Sequence, residues 1–485
     1  MADIDTFRSP LGFLKSRIPT IPHLDLLEAE QAWWEAEGVP ISGAVDRAGT
    51  PWVRMFDRFG KRVDEILYAP EYQTILRKGY RAGVVWRALE EKSLIPTYSL
   101  MHTISFYEPG ICCPYTVSLG TAAPLAKYGS AELRARFLPQ LLRKDDSVWQ
   151  GATWMTEIEG GSDLGAGVKT VARPEGESWF LTGDKYFTSN AGAELAVVAA
   201  RPEGAAPGVR GLALFLLPRY RKDGRLNYLI RRLKDKIATR SVPTGEVELR
   251  ESEGYLLGSA ELGIYLILEV LNLSRIANSV VSVALAQRAI ADALTYAEGR
   301  TAFGKRIVEH PMLRHQFEVR SKGLRSAFAL AWEAVRLLDE VWMTKPPYNV
   351  RYHYFRLMAH LAKYWTAEYA VDTAKWAMEV HGGLGTLAEF GIERWLREAM
   401  ILAIWEGTSH RQILDGMEVM ERKQAHKILF EQLAGFASVD ELRSMESEVA
   451  QHLKLPVEKK EAEAETMFRR LAIFAAEKFS GKYPG

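Results

Sequence analysis

The chain has few cysteines, and they are not spaced for a structural role. Only two occur among its 485 residues, Cys112 and Cys113, and they are adjacent. Adjacent cysteines have a spacing that is unsuited to an ordinary structural disulfide or to a tetrahedral metal site. We therefore expect reduced thiols and a cytoplasmic location, because disulfides are typical of oxidising compartments.

The sequence also lacks a net charge and a long apolar run. Lysine and arginine number 62 and aspartate and glutamate 61, so the chain as a whole has no field that would attract nucleic acid or an anionic membrane. No uninterrupted run of about 18 apolar residues occurs, and the N-terminal segment lacks the apolar stretch of a signal peptide. We expect no membrane insertion, and a phosphate-bearing ligand would have to be held by local groups.

Several nucleotide and catalytic motifs are absent. The chain contains neither Gly-x-Gly-x-x-Gly nor Gly-x-Ser-x-Gly, and its histidines lack metal-binding spacing, so we expect no metal. Residues 299–305 have the glycine and lysine spacing of a P-loop, but Arg306 replaces the magnesium-binding serine or threonine and the preceding residues have a helical pattern. The alternatives for this cationic loop are diphosphate binding and a solvated surface turn.

The patterns along the chain are helical, then β-rich, then helical. Spacings of three and four between apolar residues predominate in residues 24–144, where Ser130 is a predicted N-cap. Short β-rich runs separated by turns follow, and two long windows without proline are again helical. We predict an α+β multidomain protein, mainly α, with an N-terminal helical domain at 1–150, a central β domain at 151–258, a C-terminal helical bundle at 259–424 and a helical extension at 425–485.

Residues 404–409, Ile-Trp-Glu-Gly-Thr-Ser, combine a carboxylate with two large apolar neighbours and a helix start. Ser409 and Gln412 match a capping box, which predicts that a helix begins beside Glu406. The apolar neighbours would remove water from the carboxylate, which disfavours its charged form and makes it a more usable general base. The alternative is a capping loop whose glutamate lies in solvent.

Three further segments are candidate binding sites. Two glycine-rich loops, residues 156–163 and 381–385, would allow a ligand to approach backbone amides, although each is by itself also an ordinary turn. Residues 219–240 contain nine lysines and arginines against two aspartates, a local excess of seven. This basic stretch is either a solvated strand and loop surface or a patch for nucleotide phosphates or nucleic acid.

Five separated segments resemble, in the same order, those of the acyl-CoA dehydrogenase flavoprotein family. They are Lys127–Pro139, Met155–Asp163, Lys185–Asn190, Arg300–Lys305 and Trp405–Ser409. The resemblance covers about residues 127–421, and residues 218–227 and 233–241 look like its AidB-type branch. It implies a helical N-terminal domain, a central β-barrel-like domain and a C-terminal four-helix bundle, with FAD at a subunit interface.

The resemblance also implies a role for each matching residue. Glu406 would remove the α-proton of an acyl-CoA thioester while a hydride leaves the β-carbon for the flavin, giving the 2,3-enoyl-CoA. Substrate-binding positions would be Ser162, Arg275 and Gly407, with the backbone amide of Glu406 polarising the thioester carbonyl. The neighbouring subunit would contribute some of the FAD-binding positions. These positions are Met155, Thr156, Gly161, Ser162, Phe187, Thr188, Ser189, Arg300, Phe303, Glu379, Gly382, Gly383, Thr408 and His410.

Partners and alternatives follow from the same resemblance. It implies fatty acid metabolism, an electron-transfer flavoprotein or similar acceptor, and a homodimer or homotetramer. Ile158, Glu159, Phe187 and Glu379 depart from the commoner members, which bears on flavin redox potential more than on flavin binding. The AidB-type branch includes DNA-binding members, but residues 421–485 hold 11 basic and 11 acidic side chains, so nucleic acid is not favoured. An acyl-CoA oxidase is a further alternative.

Overall fold

The computed structural model describes residues 4–483, so the first three residues of the N-terminal segment lie outside the described part. In chain order the α-helices are α1 Pro10–Arg17, α2 Leu24–Trp33, α3 Val39–Ala48, α4 Pro70–Ala82, α5 Trp86–Glu90, α6 Ile95–Ser105, α7 Cys112–Tyr128, α8 Ala131–Leu141, α9 Leu164–Gly167, α10 Gly263–Gly299, α11 Pro311–Val341, α12 Val350–His381, α13 Ile392–Ile404, α14 Ser409–Lys423, α15 Ala425–Leu433, α16 Val439–Leu453, α17 Val457–Ala462 and α18 Ala464–Phe479. Short 3₁₀ helices include Ile307–Glu309, Gly382–Thr386 and Ala388–Phe390.

The strands lie mostly in the middle of the chain. They are β1 Trp52–Phe56, β2 Arg62–Leu67, β3 Gly151–Trp154, β4 Val171–Glu175, β5 Ser178–Ser189, β6 Leu195–Pro202, β7 Ala213–Pro218, β8 Leu229–Leu233, β9 Thr244–Leu256, β10 Thr301–Ala302 and β11 Lys305–Arg306. The predicted order of helical, β and helical regions is confirmed. Ser130 is the N-cap of α8, as predicted, because its hydroxyl accepts from the N–H of Leu133 at 3.1 Å.

Two compact units are formed. One comprises residues 4–33, 94–109 and 275–483, and the other residues 34–93 and 110–274, so that α10 contributes to both. This grouping follows contacts and not chain order, and the four domain ranges given above stay a prediction.

The unit of residues 34–93 and 110–274 contains the sheet. Strand β6 pairs with β4, and the ladder continues through β5, β9 and β7 back to β6, which closes a barrel-like ring. Its interior is apolar, and Trp154 packs edge-on against Tyr228 with ring centroids 4.9 Å apart. The hydroxyl of Ser118 on α7 accepts from the N–H of Gly151 at 2.8 Å, so this helix fixes the start of β3. The predicted β-barrel-like domain is confirmed.

A β-hairpin interrupts the region predicted to be entirely helical. Strands β1 and β2 pair antiparallel, with Trp52 opposite Leu67. Asp57 forms their turn, because its Oδ1 accepts from the N–H groups of Phe59 at 2.8 Å and Lys61 at 2.9 Å. The helical prediction is wrong here, since aromatic and β-branched residues on both sides of an Asx turn favour a hairpin over the surrounding helical pattern.

The other unit is a helical bundle around α12, which packs against α11, α13, α14 and α18. Gly416 on α14 has no room for a side chain, because an added Cβ would overlap the ring of Phe468 on α18. The glycine therefore lets the C-terminal extension pack directly on the bundle, and the predicted bundle with a helical extension is confirmed. The extension also supplies Lys482, whose Nζ lies 2.7 Å from the buried carboxylate of Glu333 on α11.

One helix, Ala260–Gly299, is long and apolar enough to span a membrane by length and composition alone. Of its most apolar window, 83% is buried inside the protein, and the core helix of a soluble protein passes the same test. The expected absence of membrane insertion stays a prediction.

Candidate active site

Glu406, the predicted catalytic base, lies in a tight turn between α13 and α14. Glu406 and Gly407 both have left-handed backbone conformations, with φ of 59° and 94°. Glycine adopts this conformation readily, whereas a residue with a Cβ in it costs roughly 1–2 kcal/mol. The turn must therefore be held by its surroundings. The glutamate is half-buried, and the predicted FAD-binding residues Thr408 and His410 follow it in half-buried and exposed positions.

A helix begins directly after this turn, as predicted, but its N-cap differs from the predicted one. Thr408 is the N-cap of α14, and its hydroxyl accepts from the N–H of Arg411 at 3.4 Å. Ser409 is the first helical residue, and its hydroxyl donates to the carboxylate of Glu368. The predicted capping box of Ser409 and Gln412 is wrong, because the helix begins one residue earlier than that pattern indicates.

Three side chains hold the carbonyl groups of the turn, and we call them the turn clamp: Arg275 of α10, Lys363 of α12 and Gln412 of α14. The Glu406 carbonyl accepts from Nε2 of Gln412 at 3.0 Å and from Nε of Arg275 at 3.4 Å. The Gly407 carbonyl accepts from Nε2 of Gln412 at 2.9 Å and from Nζ of Lys363 at 2.7 Å. The structure thus brings together Glu406, Gly407 and Arg275, three of the predicted site residues.

Buried charged groups surround the turn. Arg275 is 4% exposed, and its Nη2 lies 3.5 Å from Oδ2 of Asp415. Burial lowers the pKa of Lys363 to about 7, and the positive charge of Arg275 lowers it further while Glu406 opposes the shift. Burial also lowers the pKa of His360 to about 3, so this imidazole is neutral where it contacts Gln412. Two buried basic groups therefore interact electrostatically with Glu406: Arg275, which is permanently charged, and Lys363, whose pKa is about 7.

The predicted flavin residues of the β domain lie on two adjoining segments, the loop after β3 and the end of β5. The N–H of Tyr186 donates to the carbonyl of Thr156 at 3.0 Å and thereby joins them. Met155 and Thr188 are buried, Thr156 and Ser189 are half-buried, and Gly161, Ser162 and Phe187 are exposed.

A buried ion pair also joins these two segments. Nζ of Lys185 lies 2.5 Å from Oε1 of Glu157, and both side chains are almost fully buried. Glu157 accepts further hydrogen bonds from the N–H of Lys169 at 2.7 Å and from the hydroxyl of Thr170 at 2.6 Å. Burial alone would raise the pKa of Glu157, but the charge of Lys185 and these hydrogen bonds hold it below its usual value.

Phe187 offers a surface for a flat aromatic ligand. It is 56% exposed, and Tyr186 packs edge-on against it with ring centroids 5.0 Å apart. Nζ of Lys234 lies 3.2 Å from the Tyr186 ring centroid and 2.7 Å from Oε1 of Glu246, so this aromatic pair is supported by a fixed cation. An exposed ring held in this way can stack on a planar ring system, and the segment therefore fits the isoalloxazine of FAD.

The cationic loop after α10 is a small hairpin. Strands β10 and β11 pair antiparallel, and Phe303 and Gly304 form the turn with φ of 52° and 82°, as in two-residue hairpin turns. Arg300 is exposed at its base, and Phe303 at its tip is 96% exposed. A P-loop is excluded, as predicted, because the loop follows a helix.

The second glycine-rich segment lies next to this hairpin. The ring of Tyr296 near the end of α10 stacks on His381 at the end of α12, with centroids 4.3 Å apart. The predicted FAD-binding residues Gly382 and Gly383 follow, and a Cβ added at either would meet no atom within 4 Å. Glu379 is exposed one turn earlier. Open backbone and a basic hairpin therefore share one end of the bundle, where a diphosphate could be held.

Three family models match the chain in succession. "Adaptive response protein AidB N-terminal domain" matches residues 29–146, "Acyl-CoA dehydrogenase, middle domain" residues 152–252 and "Acyl-CoA dehydrogenase, C-terminal domain" residues 261–420. The chain is also 31% identical over 295 residues to the human mitochondrial short-chain specific acyl-CoA dehydrogenase, which covers 60% of this chain and 67% of that protein.

The chain belongs to the acyl-CoA dehydrogenase family.

Two solved structures resemble this acyl-CoA dehydrogenase family member over nearly its whole length. The apo form of Bd2924 is 30% identical with a TM-score of 0.86, and the match covers 99% of this chain and 96% of that one. ACDH-11 of Caenorhabditis elegans, in complex with C11-CoA, is 27% identical with a TM-score of 0.81, and the match covers 93% and 81%. The protein is accordingly an enzyme of a flavoprotein oxidoreductase family of fatty acid metabolism.

The basic stretch of this family member, residues 219–240, is compensated by acidic residues, several of them on strand β9. Arg231 pairs with Glu248 at 3.3 Å and with Asp184 at 3.0 Å, and Arg232 pairs with Glu246 at 2.6 Å. Further contacts are Lys222 with Glu253, Lys234 with Glu246, and Arg225 with Asp223. Outside the stretch, Asp184, Glu246, Glu248 and Glu253 thus offset four of its seven excess positive charges, which weakens the case for a nucleic-acid patch.

Sequence reasoning missed Lys363 and gave Gln412 a different role. Lys363 lies in a long helical pattern, where a lysine ordinarily extends to solvent. The sequence does contain a signal for burial of this lysine. Ala359 and Ala367, four residues before and after it, lie on the same face of the helix and are small apolar residues, and both are fully buried. The roles of all these site residues stay predictions.

Proposed function

We propose that this protein is an FAD-dependent acyl-CoA dehydrogenase that converts an acyl-CoA to the 2,3-enoyl-CoA, with Glu406 as the catalytic base. The observation that carries the proposal is the half-buried Glu406 in a left-handed turn whose carbonyls are held by the turn clamp. Side chains of three helices hold Glu406 in a strained backbone conformation. Residues in such conformations cluster at functional sites, where the strain is not selected for stability.

The chain's own residues have distinct parts in the proposed reaction. The Glu406 carboxylate accepts the α-proton, and the buried guanidinium of Arg275 lies close enough to interact with it electrostatically. The clamp fixes the turn through its carbonyl groups. The backbone N–H of Glu406 is the hydrogen-bond donor that is proposed to polarise the thioester carbonyl. FAD, when bound, supplies the acceptor for the β-hydride.

The proposed ligands are supported by the site and by the relatives. Family members depend on FAD, and the exposed ring of Phe187 with the adjoining Thr156 and Ser189 fits an isoalloxazine. The similarity to ACDH-11 in complex with C11-CoA supports an acyl-CoA substrate. We propose Ser162, Arg275 and Gly407 as substrate-binding residues.

The decisive experiment is anaerobic mixing of the yellow holoenzyme with a panel of acyl-CoA chain lengths. Wild-type flavin is expected to bleach with at least one of them. Glu406→Gln is expected to keep the yellow colour and to bleach about 10²–10⁴-fold more slowly, which is the contribution that a single general base commonly makes. Glu418→Gln on α14, which removes the same charge from an exposed pair with Arg422, is the matched control and should bleach normally. Bleaching of Glu406→Gln at the wild-type rate would show that another group is the base.

The assembly and location are proposed on separate grounds. A phenylalanine that is 96% exposed at the tip of the β10–β11 hairpin supports a homodimer or homotetramer in which a second subunit covers Phe303. Light scattering of the holoenzyme would measure this, and Phe303→Ser should shift the mass toward the monomer and lower the FAD content.

We further propose a cytoplasmic enzyme that passes its electrons to an electron-transfer flavoprotein or a similar acceptor. Peroxide formed at the rate of substrate turnover in air would indicate an oxidase instead.

A second candidate function is an AidB-type role with nucleic acid. The match of residues 29–146 to the AidB N-terminal domain favours it, whereas the pairing of the basic stretch with acidic side chains disfavours it. Duplex DNA binding that falls steeply with salt would support this role.

A further inference from the structure

Lys363 is a buried lysine whose ammonium group faces the catalytic turn. The residue is fully buried in α12, and its Nζ donates to the carbonyl of Ala403 at 3.1 Å and to that of Gly407 at 2.7 Å. Ala403 lies in the last turn of α13, and Gly407 directly follows Glu406. One side chain therefore joins the end of the preceding helix to the residue after the base.

Burial of a lysine at this position carries a free-energy cost. Burial lowers its pKa to about 7, and Arg275 adds repulsion, so the folded protein accepts an unfavourable site for the amine. A leucine or methionine would fill the same volume without that cost. The amine is retained where a left-handed turn leaves carbonyls that need donors, which indicates a role in holding the turn.

The three members of the turn clamp differ in the carbonyl groups that they contact. Arg275 contacts the Glu406 carbonyl, whereas Gln412 is shared between the carbonyls of Glu406 and Gly407. Lys363 reaches only the Gly407 carbonyl within the turn, and at 2.7 Å it is the shortest of these contacts. Loss of Lys363 would leave the Gly407 carbonyl with the amide group of Gln412, which also donates to the Glu406 carbonyl. The peptide between Glu406 and Gly407 could then rotate.

We propose that Lys363 is a positioning residue for Glu406: it fixes the Glu406–Gly407 turn through the Gly407 carbonyl, so that the carboxylate is aimed at the α-carbon of the acyl thioester. This inference rests on the proposed dehydrogenase function. Misplacing a catalytic group by about 1 Å reduces rates by about a hundredfold. Lys363 touches neither substrate nor reacting atoms, and its effect passes through the backbone.

The test uses the holoenzyme carrying Lys363→Met, which keeps an unbranched side chain as far as the ε-carbon and removes the donors. The flavin bleaching rate at saturating acyl-CoA is expected to fall about tenfold to a hundredfold, while the half-saturating concentration and the FAD content stay within about threefold of wild type. An acyl-CoA with sulfur in place of the β-methylene isolates the proton step, because it can lose its α-proton but has no β-hydride to transfer. Its long-wavelength absorbance with the flavin should form correspondingly less in the variant.

Lys127→Met is the matched control, because Lys127 is also buried and its Nζ lies 2.7 Å from Glu269 in the other unit. A general penalty for removing a buried amine would affect both variants, whereas a positioning role affects proton removal only in Lys363→Met. If Lys363→Met does not fold, Gln412→Leu removes the shared donor and should give the same selective loss.

The outcomes separate the two proposals. An active wild type with a Lys363→Met variant that bleaches and forms the analogue absorbance within twofold of wild type overturns the positioning role and leaves the dehydrogenase function intact. If the variant weakens acyl-CoA binding and leaves the saturated rate unchanged, the positioning role is likewise overturned. A wild-type holoenzyme that neither bleaches with any chain length nor deprotonates the analogue removes the dehydrogenase function, and the inference with it.

Discussion

Lys185 and Glu157 form a buried ion pair that ties strand β5 to the loop carrying Thr156, with 2.5 Å between Nζ and Oε1. Each lies one or two residues from positions proposed to contact the flavin. The pair therefore sets the spacing of two segments that are proposed to face the flavin and are about 30 positions apart in the chain.

The first prediction concerns this pair. Lys185→Met would leave the Glu157 carboxylate buried without its cation, so we expect a loss of about 3–5 kcal/mol in the free energy of unfolding. We also expect a several-fold lower FAD content, measured as the absorbance ratio of flavin to protein. Lys127→Met breaks another largely buried pair, that with Glu269, and should destabilise the protein while leaving FAD content normal. Equal flavin loss in both variants would contradict the role in spacing.

The second prediction concerns Gly407. An alanine there would sit at φ of 94° and place its Cβ 2.6 Å from Nε2 of Gln412. We expect a backbone cost of roughly 1–2 kcal/mol and displacement of the clamp, and therefore a loss of bleaching of at least about tenfold. Gly224→Ala is the control, since Gly224 has φ of 80° but open space around its Cβ. It should lose similar stability with no change in bleaching, and a fully active Gly407→Ala would show that the turn tolerates movement.

The third prediction is a pH dependence of stability from Lys363. Its pKa is 10.5 in the unfolded chain and about 7 in the folded protein. Between these values the unfolded chain binds the proton and the folded chain does not, so rising pH favours the folded state. From pH 7 to pH 9, wild type should gain about 2 kcal/mol relative to Lys363→Met, measured by chemical unfolding. A pH-independent difference would mean that the lysine is charged throughout this range.

The fourth prediction concerns nucleic acid. Because Glu246 and Glu248 pair with Arg232 and Arg231, wild type should bind duplex DNA only weakly at physiological salt. Replacing both glutamates with glutamine should raise the affinity at low salt and steepen its salt dependence, measured by fluorescence anisotropy. Tight wild-type binding that is lost on neutralising Arg231 and Arg232 would instead support the AidB-type role.

The sequence was most informative where patterns are local. Strand β5 is rich in aromatic residues and threonine, and a continuous helical period runs through α12, so both could be predicted without knowing their neighbours. The β1–β2 hairpin was missed because it is short and lies within a helical region. The capping residue of α14 was wrong by one position, since Thr408 and Ser409 are both good caps.

The site could be predicted only in part, for a related reason. Glu406 could be proposed as the base from its immediate neighbours, whereas Lys363 contacts Gly407 across 44 positions of sequence. The basic stretch gave a misleading charge count because its compensation comes partly from the alternating glutamates of β9, which only the strand pairing with β8 brings alongside. Contacts of this kind depend on tertiary packing, which a single sequence does not specify.

The left-handed backbone at residue 406 has a consequence for engineering. A screen of random variants ranked only by heat resistance should favour glycine or asparagine there, because both occupy φ of 59° with less strain than glutamate. Because Glu406 is the proposed base, we expect such a screen to enrich inactive protein, so thermostabilised versions of this enzyme need a turnover assay in every round of selection.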